Sequence, residues 1–365
     1  MAPFLIAAGG MFATMYSTQA ILPDVGETFD CSESTAGLSV SAVVFAVALT
    51  AFAWGRIAER VGRTRALRAA GSLLVVPTIL VPLAPSFTVL IAARLLQGVA
   101  MSGVLVAAIP YVAHVYVPRY GAAAMGYYAM ATILSGLVSR LGIGVAAAAV
   151  GWRTALGALA ALPIVALVAI TATPAVPAPV ERSGRPVRSS AFRAAVMLGA
   201  AMTFSFQGVF SYVTYRLQAP PFRFGSLGRT LVYAIWVVAL LAPAAGRLGD
   251  RLGWRGLGLV SLGGVVGGAA LSIPARIWSL VPALAFLAIS SYAGTIAAQL
   301  GVGRESDAPD RASSAFFSAY YLAGALGAYL PGLAFEHGGW PALTVTVVAP
   351  CLVALPAVAP LRSAR

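Results

Sequence analysis

The sequence is poor in charge, and its charges are restricted in type. Charged residues make up 10% of the 365 residues, whereas soluble domains carry roughly 25%. All 24 basic residues are arginine, none is lysine, and only 11 residues are acidic. The two cysteines, Cys31 and Cys351, lie far apart without neighbouring ligand residues. The chain therefore cannot cover a water-facing surface, and a metal or redox centre has no support.

Acidic residues are also missing from the middle of every predicted membrane span. The acids are Asp24, Glu27, Asp30, Glu33, Glu59, Glu181, Asp250, Glu305, Asp307, Asp310 and Glu336. The sequence contains no intramembrane acid pair, no metal-ligand cluster and no nucleophile–histidine arrangement. We therefore predict neither enzymatic activity nor a cofactor.

Long apolar runs dominate the rest of the sequence. Hydrophobic residues make up 60% of the chain and recur in runs close to the roughly 20 residues that cross a bilayer. The predicted spans are 3–22, 36–55, 66–84, 87–114, 122–147, 153–173, 194–216, 229–246, 257–275, 277–301, 312–335 and 339–361. The first run has no basic flank and no small-residue cleavage site, so we interpret it as a membrane helix. We expect an all-α membrane protein with twelve transmembrane helices in a lipid bilayer.

One connection between these spans differs from the others. Residues 174–193 are rich in proline and polar side chains and show no helical periodicity. We interpret this stretch as a linker between two six-helix halves, residues 1–173 and residues 194–365.

The distribution of arginines predicts the orientation in the membrane. Seventeen arginines fall in the even-numbered loops, the linker and the C-terminus, whereas five fall in the loops on the opposite side. Because basic loops stay in the cytoplasm, we expect the linker and both termini to be cytoplasmic and the membrane to be the bacterial inner membrane. The net charge of +13 then needs no nucleic-acid partner.

Two loops carry the same arrangement of glycine, arginine and acid. The loop after span two reads GRIAERVGRTR from Gly55, and the loop after span eight reads GRLGDRLGWR from Gly246. The matching positions are Gly55, Arg56, Glu59, Arg60 and Gly62 in the first and Gly246, Arg247, Asp250, Arg251 and Gly253 in the second. Each position of the first loop lies 191 residues before its match in the second loop. This constant spacing indicates duplication of a six-helix unit.

The first of these loops resembles the signature loop of the major facilitator superfamily, with Glu59 where aspartate is usual. The resemblance implies the major facilitator fold, two pseudo-symmetric six-helix bundles, and a cytoplasmic latch whose acids and arginines form charge-assisted hydrogen bonds in one conformational state. The implied latch residues are the ten matching positions together with Arg63 and Arg65. The alternative is a plain positive-inside loop, which explains the arginines but not the recurring glycines and acid.

Further motifs are similar to those of the bacterial drug-efflux branch, which includes arabinose-efflux-permease-like proteins. The sequence RLLQG from Arg94 resembles the R-x-x-Q-G motif of proton-coupled members. The chain departs from the glycine–proline motif that many antiporters carry in span five, since residues 135–140 contain no proline. The resemblance implies alternating access, with bundles that rock about a central site, and a proton gradient as the driving force.

Two arginines lie inside predicted spans and are candidate substrate ligands. Arg94 in span four and Arg140 in span five lie at similar depth in the outer half of the membrane. An ionised group there costs about 2.5–3.5 kcal/mol on insertion scales, so it is a functional candidate by default. The alternative is that each side chain reaches outward to the interface or bonds to backbone carbonyls within its own bundle.

Polar and aromatic side chains on the presumed cavity helices complete a candidate substrate cavity. Such side chains suit an amphipathic or sugar-like molecule that is recognised through hydrogen bonds and ring contacts. The predicted cavity residues are Tyr16, Gln19, Arg94, Gln97, Arg140, Gln207, Tyr212 and Gln299. Gly144 favours close helix contact rather than ligand binding.

The sequence leaves three candidates for a proton-coupling group. Asp24 lies at the outer end of span one, His114 lies near the inner end of span four, and Arg94 lies within a polar network. The alternatives are a solvated loop acid for Asp24 and an ordinary helix-end residue for His114. Coupling is therefore open at this point.

These observations predict a monomeric secondary transporter that exports drug-like or sugar-like small molecules with the proton gradient. The alternative is an organic-anion uptake or exchange transporter, in which Arg94 and Arg140 neutralise the anion. A receptor or scaffold on the same fold is a further alternative that the sequence leaves open.

Overall fold

The protein is almost entirely helical. The computed structural model describes residues 1–121, 123–171, 189–304 and 309–359, and these residues contain no strand. The helices are α1 (Ala2–Ala13), α2 (Leu22–Phe29), α3 (Glu33–Val61), α4 (Arg63–Leu83), α5 (Phe87–Val115), α6 (Val117–Tyr120), α7 (Ala123–Leu137), α8 (Ile143–Val150), α9 (Trp152–Leu159), α10 (Ala161–Thr171), α11 (Ser190–Gln218), α12 (Ser226–Thr230), α13 (Ala242–Leu271), α14 (Ile277–Arg304) and α15 (Pro309–Val358). In lipid a helix satisfies its own backbone hydrogen bonds, which explains why apolar runs adopt this structure.

The helices account for the predicted membrane spans. Among the described residues, nine helices are long and apolar enough to cross a membrane. Two shorter apolar helices, Ala2–Ala13 and Ser226–Val238, lie in the first and eighth predicted spans. α15 bends at Gly339, where φ is 62°, so it supplies both the eleventh and the twelfth span. The prediction of an all-α membrane fold is confirmed.

The chain divides into two compact units. Unit 1 covers Met1–Glu181 and Gly225–Tyr233, and unit 2 covers Arg182–Phe224 and Ala234–Arg365. The segment 225–233 belongs to the second half by sequence but packs with unit 1. Most of the predicted linker lies outside the described residues.

Helix α11 starts earlier than the sequence analysis predicted. Span seven was expected from residue 194, but the helix begins at Ser190. The Ser189 hydroxyl accepts a hydrogen bond from the Phe192 backbone N–H at 2.9 Å, which is an N-cap that satisfies a free donor of the first turn. Residues 190–193 are therefore helical rather than part of a linker.

Close helix contacts hold unit 1 together. The Trp54 indole of α3 donates to the Val99 carbonyl of α5 at 2.7 Å. A Cβ atom at Gly98 would overlap the Val43 carbonyl, so only glycine permits α5 to approach α3 this closely. Small residues of this kind let membrane helices pack through backbone contact.

Unit 2 has its own apolar core. Phe192, Leu198, Met202, Trp254 and Phe316 belong to one buried cluster, which joins α11, α13 and α15. Helix α13 bends at Gly253, where φ is 69°. A positive φ is a conformation that glycine adopts without steric cost, so the bend lies where the second loop motif places its last glycine.

Candidate functional site

The first span is broken towards its C-terminal end, and this break is the centre of the candidate site. Helix α1 ends at Ala13, and a 3₁₀ turn over Gln19–Ile21 precedes α2. Backbone carbonyls between these elements lack the intrahelical donors that a continuous helix provides. Buried carbonyls need other hydrogen-bond donors, and in unit 1 a single side chain provides them.

Arg94 provides those donors. Its side chain is completely buried, and Nη1 donates to the Thr14 carbonyl at 2.9 Å while Nη2 donates to the Met15 carbonyl at 2.7 Å. Nε donates to the Ser39 carbonyl of α3 at 2.6 Å. Nη1 also bonds Oε1 of Gln97 at 2.7 Å. The partners are neutral oxygens, so the guanidinium bonds to backbone carbonyls within its own unit, as one of the two sequence-based alternatives proposed.

Gln97 extends this network to a fourth helix. Its Nε2 donates to the Thr78 hydroxyl of α4 at 3.0 Å, while its Oε1 accepts from Arg94. Arg94 and Gln97 therefore connect the broken first span to α3, α4 and α5. We refer to these two side chains as the Arg94 clasp.

Arg140 contacts the same break from span five. It lies in a π-helical turn over Val138–Gly142, a distortion that often occurs at functional sites. Its guanidinium lies over the Tyr16 ring at 4.3 Å from the centroid. Its Nε donates to Oε1 of Gln19 at 2.5 Å. Its Nη1 donates to the Gly136 carbonyl of its own span at 2.9 Å, which is the backbone bond that the sequence analysis gave as an alternative. The structure thus brings together Tyr16, Gln19 and Arg140, three of the predicted cavity residues, in unit 1.

Asp24 forms a buried ion pair that the sequence analysis did not predict. Arg229 of α12 donates to Oδ1 of Asp24 at 2.6 Å. The Arg229 side chain is 6% exposed and that of Asp24 is 24% exposed. The second carboxylate oxygen of Asp24 is buried and has no hydrogen-bond partner among the described residues. Burial raises the pKa of the Asp24 carboxyl above its usual range, and the nearby Arg229 charge acts in the opposite direction.

Two further contacts hold the segment 225–233 on unit 1. The Tyr233 hydroxyl donates to the Gln19 carbonyl at 3.1 Å. A Cβ atom at Gly144 of α8 would overlap the Thr230 side chain, so this glycine makes room for α12. We call residues 225–233 the docked segment. Sequence reasoning placed Arg229 in an outer loop but had no signal for its partner, since 205 residues separate it from Asp24.

The predicted cavity residues of unit 2 are not gathered into one site. The buried Tyr212 hydroxyl donates to the Ala328 carbonyl at 2.8 Å, which joins α11 to α15. Gln207 is buried, and its Nε2 has no hydrogen-bond partner among the described residues. Gln299 is exposed on α14. These three side chains remain predictions as substrate ligands.

An aromatic cluster in unit 2 was missed by the sequence analysis. The Phe206 ring lies 4.8 Å from the Trp236 ring and 5.4 Å from the Tyr292 ring, and Phe210 lies 5.0 Å from Trp236. The contacts are edge-to-face, the arrangement that aromatic quadrupoles favour. The i, i+4 spacing of Phe206 and Phe210 is a signal for a shared helix face, but it does not identify the partner rings.

The predicted latch residues lie where two helices meet. Gly62 ends α3 with φ at 90° and is the N-cap of α4, and Gly253 makes the corresponding bend in α13. Arg63 donates weakly to the Pro110 carbonyl at 3.5 Å.

Within the part of the chain that the structure describes, Glu59 and Asp250 are exposed and form no ion pair. The exposed arginines of the two loops are Arg56, Arg60, Arg65, Arg247 and Arg251. Gly55 leaves open space around it.

His114, the remaining proton-coupling candidate, is exposed in the last turn of α5. Of these two candidates, Asp24 forms an ion pair and His114 lies at the surface of unit 1.

Comparisons with known proteins agree with this architecture. The chain is 22% identical to the uncharacterised MFS-type transporter YybF of Bacillus subtilis, over 96% of this chain and 90% of the relative. It is 24% identical to the inner membrane transport protein YnfM of Escherichia coli, over 96% of this chain and 88% of the relative.

Solved structures share the fold. A point mutant of the nucleoside transporter NupG superposes with a TM-score of 0.81 at 12% identity, covering 98% of both chains. A bacterial homologue of the human lysosomal transporter Spinster gives a TM-score of 0.77 at 17% identity, covering 98% of this chain and 94% of that one. The model of the Major Facilitator Superfamily matches residues 4–306. This match covers most of the chain, and the described residues contain nine long apolar helices in two units. The chain therefore belongs to the Major Facilitator Superfamily and is a multi-pass membrane transporter.

Proposed function

We propose that the protein exports small organic molecules by alternating access in exchange for protons, across the bacterial cytoplasmic membrane with both termini in the cytoplasm. The observation that carries this proposal is the ion pair between Asp24 and Arg229. The docked segment continues in sequence into unit 2 on both sides. We propose that the transport cycle releases this segment, and that the ion pair is the titratable contact that controls the release.

The charge of Asp24 determines how firmly the segment is held. The ionised carboxylate attracts Arg229, whereas protonation removes that attraction and so weakens the hold on the segment. Because burial raises the pKa of Asp24, the carboxyl takes up a proton at a higher pH than a solvated aspartate does. The ionised pair is present above this pKa and is lost as the pH falls through it.

Loss of the ion pair at low pH fits proton antiport. An antiporter takes its protons from the more acidic outer compartment, and Asp24 lies at the predicted outer end of the first span. Its side chain is 24% exposed, so protons from that compartment have access to it. Acidity outside then favours release of the docked segment on the side where the proton is bound.

The substrate site that we propose lies at the break of the first span. Tyr16 offers a ring and Gln19 an amide, and Arg140 offers a cation that contacts both of these side chains as well as the Gly136 carbonyl. Such a set suits an amphipathic or sugar-like molecule. Arg94 is a weaker candidate for direct binding, since its donors already engage four neutral oxygens.

Transport by reconstituted protein tests the proposal. A panel of drug-like and sugar-like molecules is screened in proteoliposomes with and without a pH gradient, and Asp24→Asn is compared with Glu27→Gln, an exposed acid on the same helix. We expect the wild type and the Glu27 variant to accumulate substrate only with the gradient. Asp24→Asn loses this accumulation by at least about tenfold, or 1.4 kcal/mol, but keeps substrate exchange. Gradient-driven accumulation by Asp24→Asn at the wild-type rate would contradict Asp24 as the coupling residue.

A second candidate function is uptake or exchange of organic anions. It is favoured by the position of Arg140, whose cation contacts the Tyr16 ring, the Gln19 amide and the Gly136 carbonyl at the break of the first span. In that case Arg140→Gln abolishes binding of an anionic substrate. If the substrate is neutral, the same variant keeps appreciable affinity, and the difference is measured by titration of purified protein.

A further inference from the structure

A groove lies at the ends of two spans in unit 1, away from the broken first span. It has a volume of about 390 Å³ and is lined by Ile79, Pro82 and Leu83 of α4 and by Arg153 and Gly157 of α9. A Cβ atom at Gly157 would meet no other atom within 4 Å, so this glycine leaves the floor of the groove open. The Leu83 side chain is 68% exposed and that of Ile79 is 40% exposed. In a membrane protein such side chains face lipid.

Arg153 is a fixed cation at the polar end of this groove. Its Nη1 donates to the Pro82 carbonyl at 2.7 Å and to the Ala84 carbonyl at 2.9 Å. These carbonyls lie at the end of α4, where no intrahelical donor is available. The guanidinium also stacks on Trp152 at 4.5 Å and on Phe29 at 5.5 Å. Its position is therefore set before any ligand binds.

The remaining hydrogen-bonding capacity of Arg153 is unused. An arginine has five N–H donors, and among the described residues no acceptor bonds to Nε or Nη2 of Arg153. Among the described residues no carboxylate is found paired with Arg153 either. The groove thus combines an uncompensated cation with lipid-facing apolar walls.

The position of the groove at the ends of two spans favours a lipid as its ligand. Leu83 is the last residue of α4, and Arg153 follows the turn at Gly151 that separates α8 from α9. Both positions are span ends, at the level of lipid headgroups, and the neighbouring Trp152 is a residue type that favours this interface. A soluble anion would use the cation but not the apolar walls, whereas a phospholipid uses both.

We propose that this groove binds one phospholipid, with the headgroup phosphate on Arg153 and an acyl chain along Ile79 and Leu83. Phosphate oxygens accept charge-assisted hydrogen bonds from the free Nε and Nη2 donors. The groove and the proposed transport site share no residue, so the lipid proposal does not depend on the proposed function.

Lipid binding to the purified full chain tests the proposal. Delipidated protein is titrated with phosphatidylglycerol, with diacylglycerol, which lacks the phosphate, and with glycerol phosphate, which lacks the chains. Bound lipid is counted by native mass spectrometry, and thermal stabilisation is measured in parallel. We expect phosphatidylglycerol alone to bind at one site with clear stabilisation.

Two substitutions locate the site. Arg153→Gln removes the cation, and Gly157→Leu fills the groove while keeping Arg153. Each is expected to weaken phosphatidylglycerol binding by about tenfold or more, since one charged hydrogen-bonded contact is lost or blocked. The matched control is Arg276→Gln, because Arg276 also stacks on a tryptophan, Trp278, at 5.4 Å but does not line the groove.

The proposal is overturned if Gly157→Leu and Arg153→Gln bind phosphatidylglycerol as the wild type does. Equal binding of diacylglycerol would show that the phosphate plays no part, and equal binding of glycerol phosphate would show an anion site without a lipid chain. Both results would also reject the proposal. Thermal unfolding of each variant without lipid shows whether it is folded, and the Gly157 variant keeps the test valid if Arg153→Gln does not fold.

Discussion

Two of the buried arginines of unit 1, Arg94 and Arg140, show how the same residue type serves different purposes. Both were predicted to lie at similar depth, and both contact the broken first span. Arg94 bonds mainly to main-chain oxygens of that break and of α3. Arg140 bonds one main-chain oxygen, that of Gly136, and also contacts the side chains of Tyr16 and Gln19. Main-chain partners are fixed by the fold, while side-chain partners can exchange for a ligand. We therefore propose that Arg94 serves stability and that Arg140 is the better candidate for substrate contact.

Substitution of Arg94 tests this assignment at the residue scale. Arg94→Gln removes the Arg94 donor from the buried Met15 carbonyl, whereas the Thr14 carbonyl keeps the Ser17 hydroxyl and the Ser39 carbonyl lies within α3. A buried acceptor left without its partner costs about 1–3 kcal/mol. We expect the free energy of unfolding to fall by about that amount and the thermal midpoint in detergent to fall with it. Arg216→Gln is the control, because Arg216 is only half-buried at the end of α11 and bonds a single carbonyl, that of Ile273. Equal losses in the two variants would count against the Arg94 clasp.

At the scale of elements, the docked segment packs with unit 1 although its neighbours in sequence belong to unit 2. The docked segment meets α2 through Asp24, the 3₁₀ turn through Gln19 and α8 through Gly144. Gly144 was predicted to allow close helix contact, and its proximity to Thr230 agrees with that expectation. Each contact uses a different interaction: charge, hydrogen bond and steric fit.

The steric contact can be tested without altering any charge. Gly144→Ala places a methyl group where the Thr230 side chain lies, so we expect α12 to move off α8 and the transport rate to fall at least about tenfold. Gly126→Ala on α7 is the control, since a Cβ there meets nothing within 4 Å, and it should keep wild-type transport.

Accessibility gives a second readout for the same variant. In a background without Cys31 and Cys351, a cysteine in place of Ser226 is expected to react faster with a thiol reagent in the Gly144→Ala variant. Unchanged labelling together with unchanged transport would mean that the segment is not held by this contact.

At the scale of the whole molecule, the duplicated loops were the most informative feature of the sequence. Gly62 and Gly253 both have positive φ at helix junctions, as their matching positions suggested. Hydropathy alone predicted the spans, because the length of an apolar run is a local property. The break of the first span, the π-helical turn at Arg140 and the Asp24–Arg229 pair were not predictable in this way, since each depends on contacts between residues distant in sequence.

The latch hypothesis makes a prediction about the molecule as a whole. Arg60→Ala and Asp250→Ala should each reduce transport several-fold while membrane insertion stays intact, because the exposed side chains are needed only in another conformational state. Arg119→Ala is the control, since Arg119 lies in a different loop and stacks on Tyr120 at 5.8 Å. Flux is measured in proteoliposomes, and insertion by the amount of protein in the membrane fraction. Wild-type flux in both loop variants would refute the latch.

The docked segment also has a consequence for biosynthesis. Unit 1 includes residues 225–233, so the ribosome must translate past the linker and all of α11 before the first unit can be completed. Until then the nascent chain carries Asp24 without Arg229 and Gly144 without Thr230. The first unit therefore finishes folding only after synthesis of the second has begun, and the order of translation couples the assembly of the two units.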